Sequence, residues 1–164
     1  MKILLLSGPS GTGKTSIALQ LTQNPNFHLI KSFTDRPRRV NERGDHFFIP
    51  TMFIKFMLTY NIVASTKING YYYCSTFRQF DDDKINVYVV DKKGIDDVKK
   101  NFKDAQIFSV LVSKDNIDID QIRKDRNIVV PDVKDVDLIL MNNEELNDVV
   151  SFLELKALSF FGVE

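Results

Sequence analysis

The sequence predicts an α/β domain with a parallel sheet flanked by helices. Two observations carry this reading. Short apolar runs of strand length alternate with segments of helical periodicity, as βαβ units require. The first run, "KILLLS", meets the first helix pattern, "KTSIALQLTQ", through a glycine-rich turn. One stretch breaks the alternation: residues from about 32 to 80 are rich in aromatic strand formers and are expected to form a small separate lobe.

The elements follow in order. "KILLLS" (Lys2 to Ser7) is apolar throughout, the pattern of a strand buried on both faces. In "KTSIALQLTQ", Ile17, Ala18 and Leu21 recur at helical spacing, and Asn24-Pro25 closes the pattern. "FHLIKSF" reads as one second strand, and "TDRPRRVNERGDH" as a polar, basic, turn-rich loop. "HFFI", "NIVAST" and "GYYYCST" read as strands, with "TMFIKFMLTY" a short helix between the first two. "INVYVVD" is a buried strand. "KKGIDDVKKNF" is a helix with Ile95, Val98 and Phe102 facing inward. "AQIFSVLVS" and "VDLILMNN" complete the strands. "NIDIDQIRKDRN" is a polar short helix, and "EELNDVVSFLELKALSFF" is a long amphipathic one.

Composition narrows the function. The 164 residues suit a single domain able to bury a core. Lys plus Arg and Asp plus Glu number 22 each, so the chain lacks the excess positive charge that non-specific nucleic-acid or anionic-membrane binding uses. No apolar run approaches the roughly 18 residues of a membrane span, and "MKILLLSGPSG" is read as mature structure rather than a leader. The single cysteine, Cys74, has no internal partner and points to a reducing, cytoplasmic setting. It reads as a small buried hydrophobe, and Asp81-Asp82-Asp83 as a solvated loop.

The turn after the first strand is the first chemical signal. "GPSGTGKT" matches G-x-x-x-x-G-K-[ST] at Gly8, Gly13, Lys14 and Thr15, with a strand before it and a helix after. Glycines let successive backbone N–H groups turn toward phosphate oxygens, and the helix start adds its positive end. Lys14 would reach the β- and γ-phosphates, and the Thr15 hydroxyl would ligate Mg²⁺. The motif predicts nucleoside triphosphate binding. The second signal is "KSFTDRPRRVNERGDHFF", where Arg36, Arg38 and Arg39 surround Pro37. Guanidinium forks suit the multi-oxygen display of a second phosphate.

With both stretches in hand, the chain resembles the guanylate kinase family of P-loop nucleoside monophosphate kinases. "LLLSGPSGTGKTS" is similar to that family's phosphate loop. "SFTDRPRRVNERGDHFF" is similar to its Ser-x-Thr-Thr-Arg-x-x-Arg-x-x-Glu segment, and "NGYYYCST" to its Gly-Asn-x-Tyr-Gly-Thr/Ser segment. "VYVVDKKGIDDVKK" and "VDLILMNNEEL" match later family segments.

The resemblance implies a P-loop NTPase-type sheet in one domain over 1–164. Its core would span 1–31 and 81–164, an inserted lobe for the nucleoside monophosphate about 32–80, and a short lid about 114–130. It implies transfer of the γ-phosphoryl group of ATP, with Mg²⁺, to a small-molecule acceptor, GMP or dGMP, by a monomer or homodimer without nucleic-acid or membrane partners. Gly8, Ser10, Gly11, Thr12, Gly13, Lys14, Thr15 and Ser16 would hold the ATP phosphates, and Asn142 would lie near the adenine. Ser32, Arg36, Arg39 and Tyr73 would hold the acceptor phosphate, with Glu42 beside it. Ser75 would touch the base and Asp91 would face the acceptor nucleoside. Lys14, Arg36, Arg123 and Arg126 would stabilise the transferring group, the last two as lid arginines. His28 and His46 are given no catalytic role, since a phosphate oxygen is already a nucleophile.

The chain also departs from the family. Ala64 stands where a guanine-reading glutamate is expected, Val89 where a second aspartate is, His46 where a phosphate-binding tyrosine is, and Cys74 where a glycine is. Two alternatives follow: a guanylate-kinase-like binding module with weak turnover, and a P-loop small-molecule kinase with another acceptor.

Overall fold

A computed structural model describes residues 1–40, 42, 44–115 and 131–163. Nine strands form two sheets among these residues. The first sheet contains β1 (Lys2–Ser7), β2 (Phe27–Ile30), β7 (Ile85–Val89), β8 (Gln106–Ser113) and β9 (Leu138–Met141) in the order β2-β7-β1-β8-β9. Every pairing in it is parallel. The second sheet contains β3 (Ser32–Thr34), β4 (His46–Phe48), β5 (Ile62–Ile68) and β6 (Tyr71–Thr76) in the order β4-β3-β6-β5. There β3 and β4 are parallel, and β6 is antiparallel to both β3 and β5.

Burial explains the parallel sheet. Residues Ile3, Leu4, Leu5 and Leu6 of β1 are all inaccessible to solvent, because helices or the second sheet cover both faces. On one face Leu4 and Leu6 pack with helix α1 (Lys14–Leu21) and helix α4 (Leu146–Phe161), through Ile17, Leu21, Val150 and Leu153. On the other, Ile3 and Leu5 pack with Ile95 and Val98 of helix α3 (Lys92–Asn101) and with Val63 and Ala64 of β5. This second cluster joins the two sheets. A short helix, α2 (Thr51–Met57), links β4 to β5 and buries Ile54.

The expected single strand "FHLIKSF" is two strands. β2 lies in the parallel sheet and β3 in the other, with Lys31 between them. β2 contributes Phe27 and Leu29 to one apolar cluster and Ile30 to the other, whereas Phe33 of β3 stacks on Phe47 within the second sheet. Phe102 is the C-cap of α3 and packs against the second cluster as expected, its ring also meeting Phe77 and Phe80. Cys74 is buried, and burial raises its thiol pKa to about 11. The segment "NIDIDQIRKDRN", most of the expected lid and both Arg123 and Arg126 lie outside the described residues. No helix among the described residues is long and apolar enough to cross a membrane.

Candidate active site

The turn between β1 and α1 is shaped by its glycines. Gly8, Gly11 and Gly13 all have φ between 87° and 136°, which side-chain-bearing residues rarely adopt. At Gly8 the requirement is also steric, since an added Cβ would collide with the Val112 carbonyl oxygen of β8. The turn is held from outside by Asn142, whose Nδ2 donates to the Thr12 carbonyl at 2.8 Å. From inside, Thr12 Oγ1 donates to the Pro9 carbonyl at 3.0 Å, and Lys14 Nζ donates to the same oxygen. Asn142 therefore steadies the loop itself, a contact the motif could not reveal.

Lys14 is the electrostatic centre of the turn. Burial of its ammonium lowers its pKa from 10.5 to about 8. The side chain lines a cavity at the end of the parallel sheet. Loop, helix start and desolvated cation together form an anion site suited to phosphate.

The arginine loop faces the same cavity from the second sheet. Arg36 is buried, and its guanidinium forms a bidentate ion pair with Glu42. Glu42 also accepts the Arg39 backbone N–H at 2.9 Å. The Arg36 hydrogen bonds are the main reason the Glu42 carboxyl is held down at about 2, and the same pair raises the Arg36 pKa. Arg36 lies 5.2 Å from the Phe48 ring centroid, which fixes the plane of the fork. Its Nε–H is buried and has no partner among the described residues, so one oriented donor is left over. Arg39 is exposed at the mouth.

These elements share one cavity of about 260 Å³. Gly8, Ser10 and Lys14 line it from the first turn, and Ser32, Arg36, Arg39, His46 and Tyr73 from the arginine side. Ala64, Ser65 and Thr66 of β5, Tyr88 and Val89 of β7, and Asp91 line the remainder. Tyr88 accepts from Ser32 Oγ at 3.4 Å, and burial pushes the pKa of its hydroxyl up to about 12, so it stays neutral. His46 contacts the Tyr73 ring edge-on, and burial lowers its pKa, favouring the neutral ring at pH 7.

Ser75, expected to touch the base, and Asp91, expected to face the acceptor nucleoside, differ in their access to the cavity. Ser75 is fully buried, paired with Ala64 across β5 and β6, and is not among the residues lining the cavity. Asp91 lines it, but both of its oxygens are engaged. Oδ1 accepts the Gly94 N–H at 2.7 Å as the N-cap of α3, and Oδ2 accepts from Thr66 Oγ1 at 2.7 Å. Thr66 and Asp45 were not legible as site residues. Asp45 Oδ2 accepts from Thr15 Oγ1 at 3.2 Å, a contact across thirty positions of sequence that no local pattern encodes.

No protein-family model matches the chain. It is 28% identical over 116 residues to a guanylate kinase of Clostridium tetani, covering 66% of this chain and 56% of that protein. It is 28% identical over 125 residues to a guanylate kinase of Helicobacter hepaticus, covering 71% of this chain and 62% of that protein. The chain thus spans about three fifths of the length of these curated relatives. Its fold matches the crystal structure of guanylate kinase from Anaplasma phagocytophilum with a TM-score of 0.72 at 18% identity, over 96% of this chain and 85% of that one.

Proposed function

We propose that this chain, which belongs to the guanylate kinase family, is a nucleoside monophosphate kinase that transfers the γ-phosphoryl group of ATP to GMP or dGMP. The observation that carries the reading is the shared cavity. The glycine turn with Lys14 and the arginine loop with Arg36 and Arg39 face one another across it. Two phosphate-binding elements aimed at one space suit a reaction that must bring two anions together.

Such transfer depends on positioning and charge neutralisation more than on covalent chemistry. The turn from Gly8 to Ser16 would hold the donor phosphates through backbone N–H groups, and Lys14 would neutralise charge near the γ-phosphate. Arg36, oriented by Glu42 and Phe48, would present its free Nε–H to the acceptor phosphate, with Arg39 and Tyr73 beside it. Thr15 would hold Mg²⁺, which when bound would supply positive charge to offset the repulsion between donor and acceptor phosphates. Arg123 and Arg126 are assigned to the lid on the family resemblance. No residue is needed as a base.

The direct test is ADP release from ATP and Mg²⁺ with GMP, dGMP, AMP, CMP, UMP or dTMP, beside a control with no acceptor. Release that depends on GMP or dGMP is the expected result. Release no faster than the control with every acceptor would overturn the kinase reading. Within an active enzyme, Arg39→Ala should weaken acceptor binding far more than ATP binding. Equal loss of both would remove its assigned role.

A further inference from the structure

One carboxylate in the cavity region is not used by the reaction as described. Asp45 precedes β4 and belongs to the second sheet's connections, yet it reaches across to the start of α1. Its Oδ2 accepts the Thr15 hydroxyl at 3.2 Å. Its Oδ1 is buried and has no hydrogen-bond partner among the described residues. A buried carboxylate oxygen without a donor is unfavourable, so the site calls for a cation or a water held by one.

The surrounding groups do not fill that place. Glu42 lies close by, but both of its oxygens are occupied by Arg36 and the Arg39 N–H. His46 Nε2 is 3.6 Å from Asp45 Oδ2, beyond a hydrogen bond, and its Nδ1 is also buried without a partner. P-loop enzymes commonly pair the loop hydroxyl with an aspartate from a core strand to hold Mg²⁺. Here β7 ends in Val89 followed by Val90, both aliphatic.

The hydroxyl's chemistry gives the arrangement a purpose. A threonine oxygen has one proton and two lone pairs. With the proton directed at Asp45, the lone pairs are free for a cation. The carboxylate acceptor makes that oxygen the better ligand, as outer partners of metal ligands do.

We propose that Asp45 is a positioning residue for the divalent cation that accompanies ATP. It holds the Thr15 proton, so that the oxygen's lone pairs serve the cation, and leaves Oδ1 as an acceptor for the cation's water. The acceptor-binding sheet thereby takes part in metal binding, replacing the core-strand carboxylate missing at Val89. This rests on the nucleotide-binding reading of the Gly8–Ser16 turn.

The test is equilibrium binding of a non-hydrolysable β,γ-imido analogue of ATP, measured in EDTA and in Mn²⁺, with electron paramagnetic resonance of the Mn²⁺ ternary complex. In the unsubstituted protein Mn²⁺ should strengthen analogue binding. Asp45→Asn should lower that gain by about 10–100-fold, the usual cost of losing an outer partner of a metal ligand. In EDTA the same variant should bind the analogue as well or better, because a negative charge near the phosphates is gone. Thr15→Ala should show a similar loss, and the double variant should lose little more than either single one. Asp45→Ala, which removes both oxygens, should match Asp45→Asn. A metal-dependent gain retained in both Asp45 variants, beside normal binding in EDTA, would overturn the role of Asp45 alone. Absence of analogue binding by the unsubstituted protein in either condition would overturn the nucleotide-binding reading, and the proposal with it.

Discussion

Lys14 shows how one residue can be prepared for a ligand at a cost to the protein without it. Burial lowers its pKa from 10.5 to about 8, so the folded state disfavours the charged form. The sign of the linkage follows. The charge penalises folding below about pH 8, and the penalty fades as pH rises through that value toward 10.5. A bound triphosphate supplies the missing counter-charge and draws the pKa back up. Between those two values, ATP binding should therefore take up a proton. Calorimetry near pH 9, in two buffers of different ionisation enthalpy, should report an uptake approaching about one proton, and near pH 6 almost none. Lys14→Arg should abolish the uptake, because a guanidinium stays charged throughout. A buffer-independent enthalpy near pH 9 would place Lys14 away from the phosphates.

At the level of elements, the β1–turn–α1 unit was legible because its determinants are local: an apolar strand, glycines at fixed positions, and a helix start. Two of its glycines nevertheless answer to different neighbours. Gly8 faces the Val112 carbonyl of β8, whereas an added Cβ at Gly11 meets nothing within 4 Å. Gly11→Ala should therefore cost only the strain of its positive φ, about 1–3 kcal/mol. Gly8→Ala adds a collision with backbone to the same strain. It should unfold at clearly lower denaturant than Gly11→Ala and lose ATP binding as well. Equal midpoints in urea would mean that β8 yields to the new side chain. What sequence patterns missed lies where elements meet. The division of "FHLIKSF" into β2 and β3 depends on which distant strands each half pairs with. The Thr15–Asp45 and Thr66–Asp91 bonds join positions 30 and 25 residues apart, which no periodicity reports. The Arg36–Glu42 pair spans six residues, and both lie in the one segment whose family resemblance singled them out together.

On the scale of the whole molecule, the cavity belongs to neither sheet alone. Ala64 and Thr66 come from β5, Tyr88 and Val89 from β7, and Asp91 from the cap of α3. Their relative positions are fixed because α3 is bound to the edge of β5. Ser65 N–H donates to Asp97 at 3.1 Å, Asn101 donates to the Val63 carbonyl at 2.8 Å, and Val63, Ala64, Ile95 and Val98 share one apolar cluster. Guanine presents adjacent N–H donors that a carboxylate would read, yet the cavity's own carboxylate, Asp91, is already held by Gly94 and Thr66, with one hydrogen bond on each oxygen. The remaining polar groups include hydroxyls, notably Ser32, Thr66 and Tyr88. Preference for GMP over other bases should therefore rest on those groups and fall short of what a carboxylate free to read guanine would give. Ala64→Glu should raise that preference, because Ala64 lines the cavity on the strand that also carries Thr66. A hydrogen bond to a charged group contributes about 1.5–3 kcal/mol, so kcat/KM for GMP relative to AMP should rise about tenfold or more. The buried carboxylate should also lower the melting temperature of the ligand-free protein, and GMP should recover part of that loss. A lowered melting temperature with an unchanged GMP-to-AMP ratio would mean that the base lies off β5, and that Ala64 is a packing residue rather than a determinant of specificity.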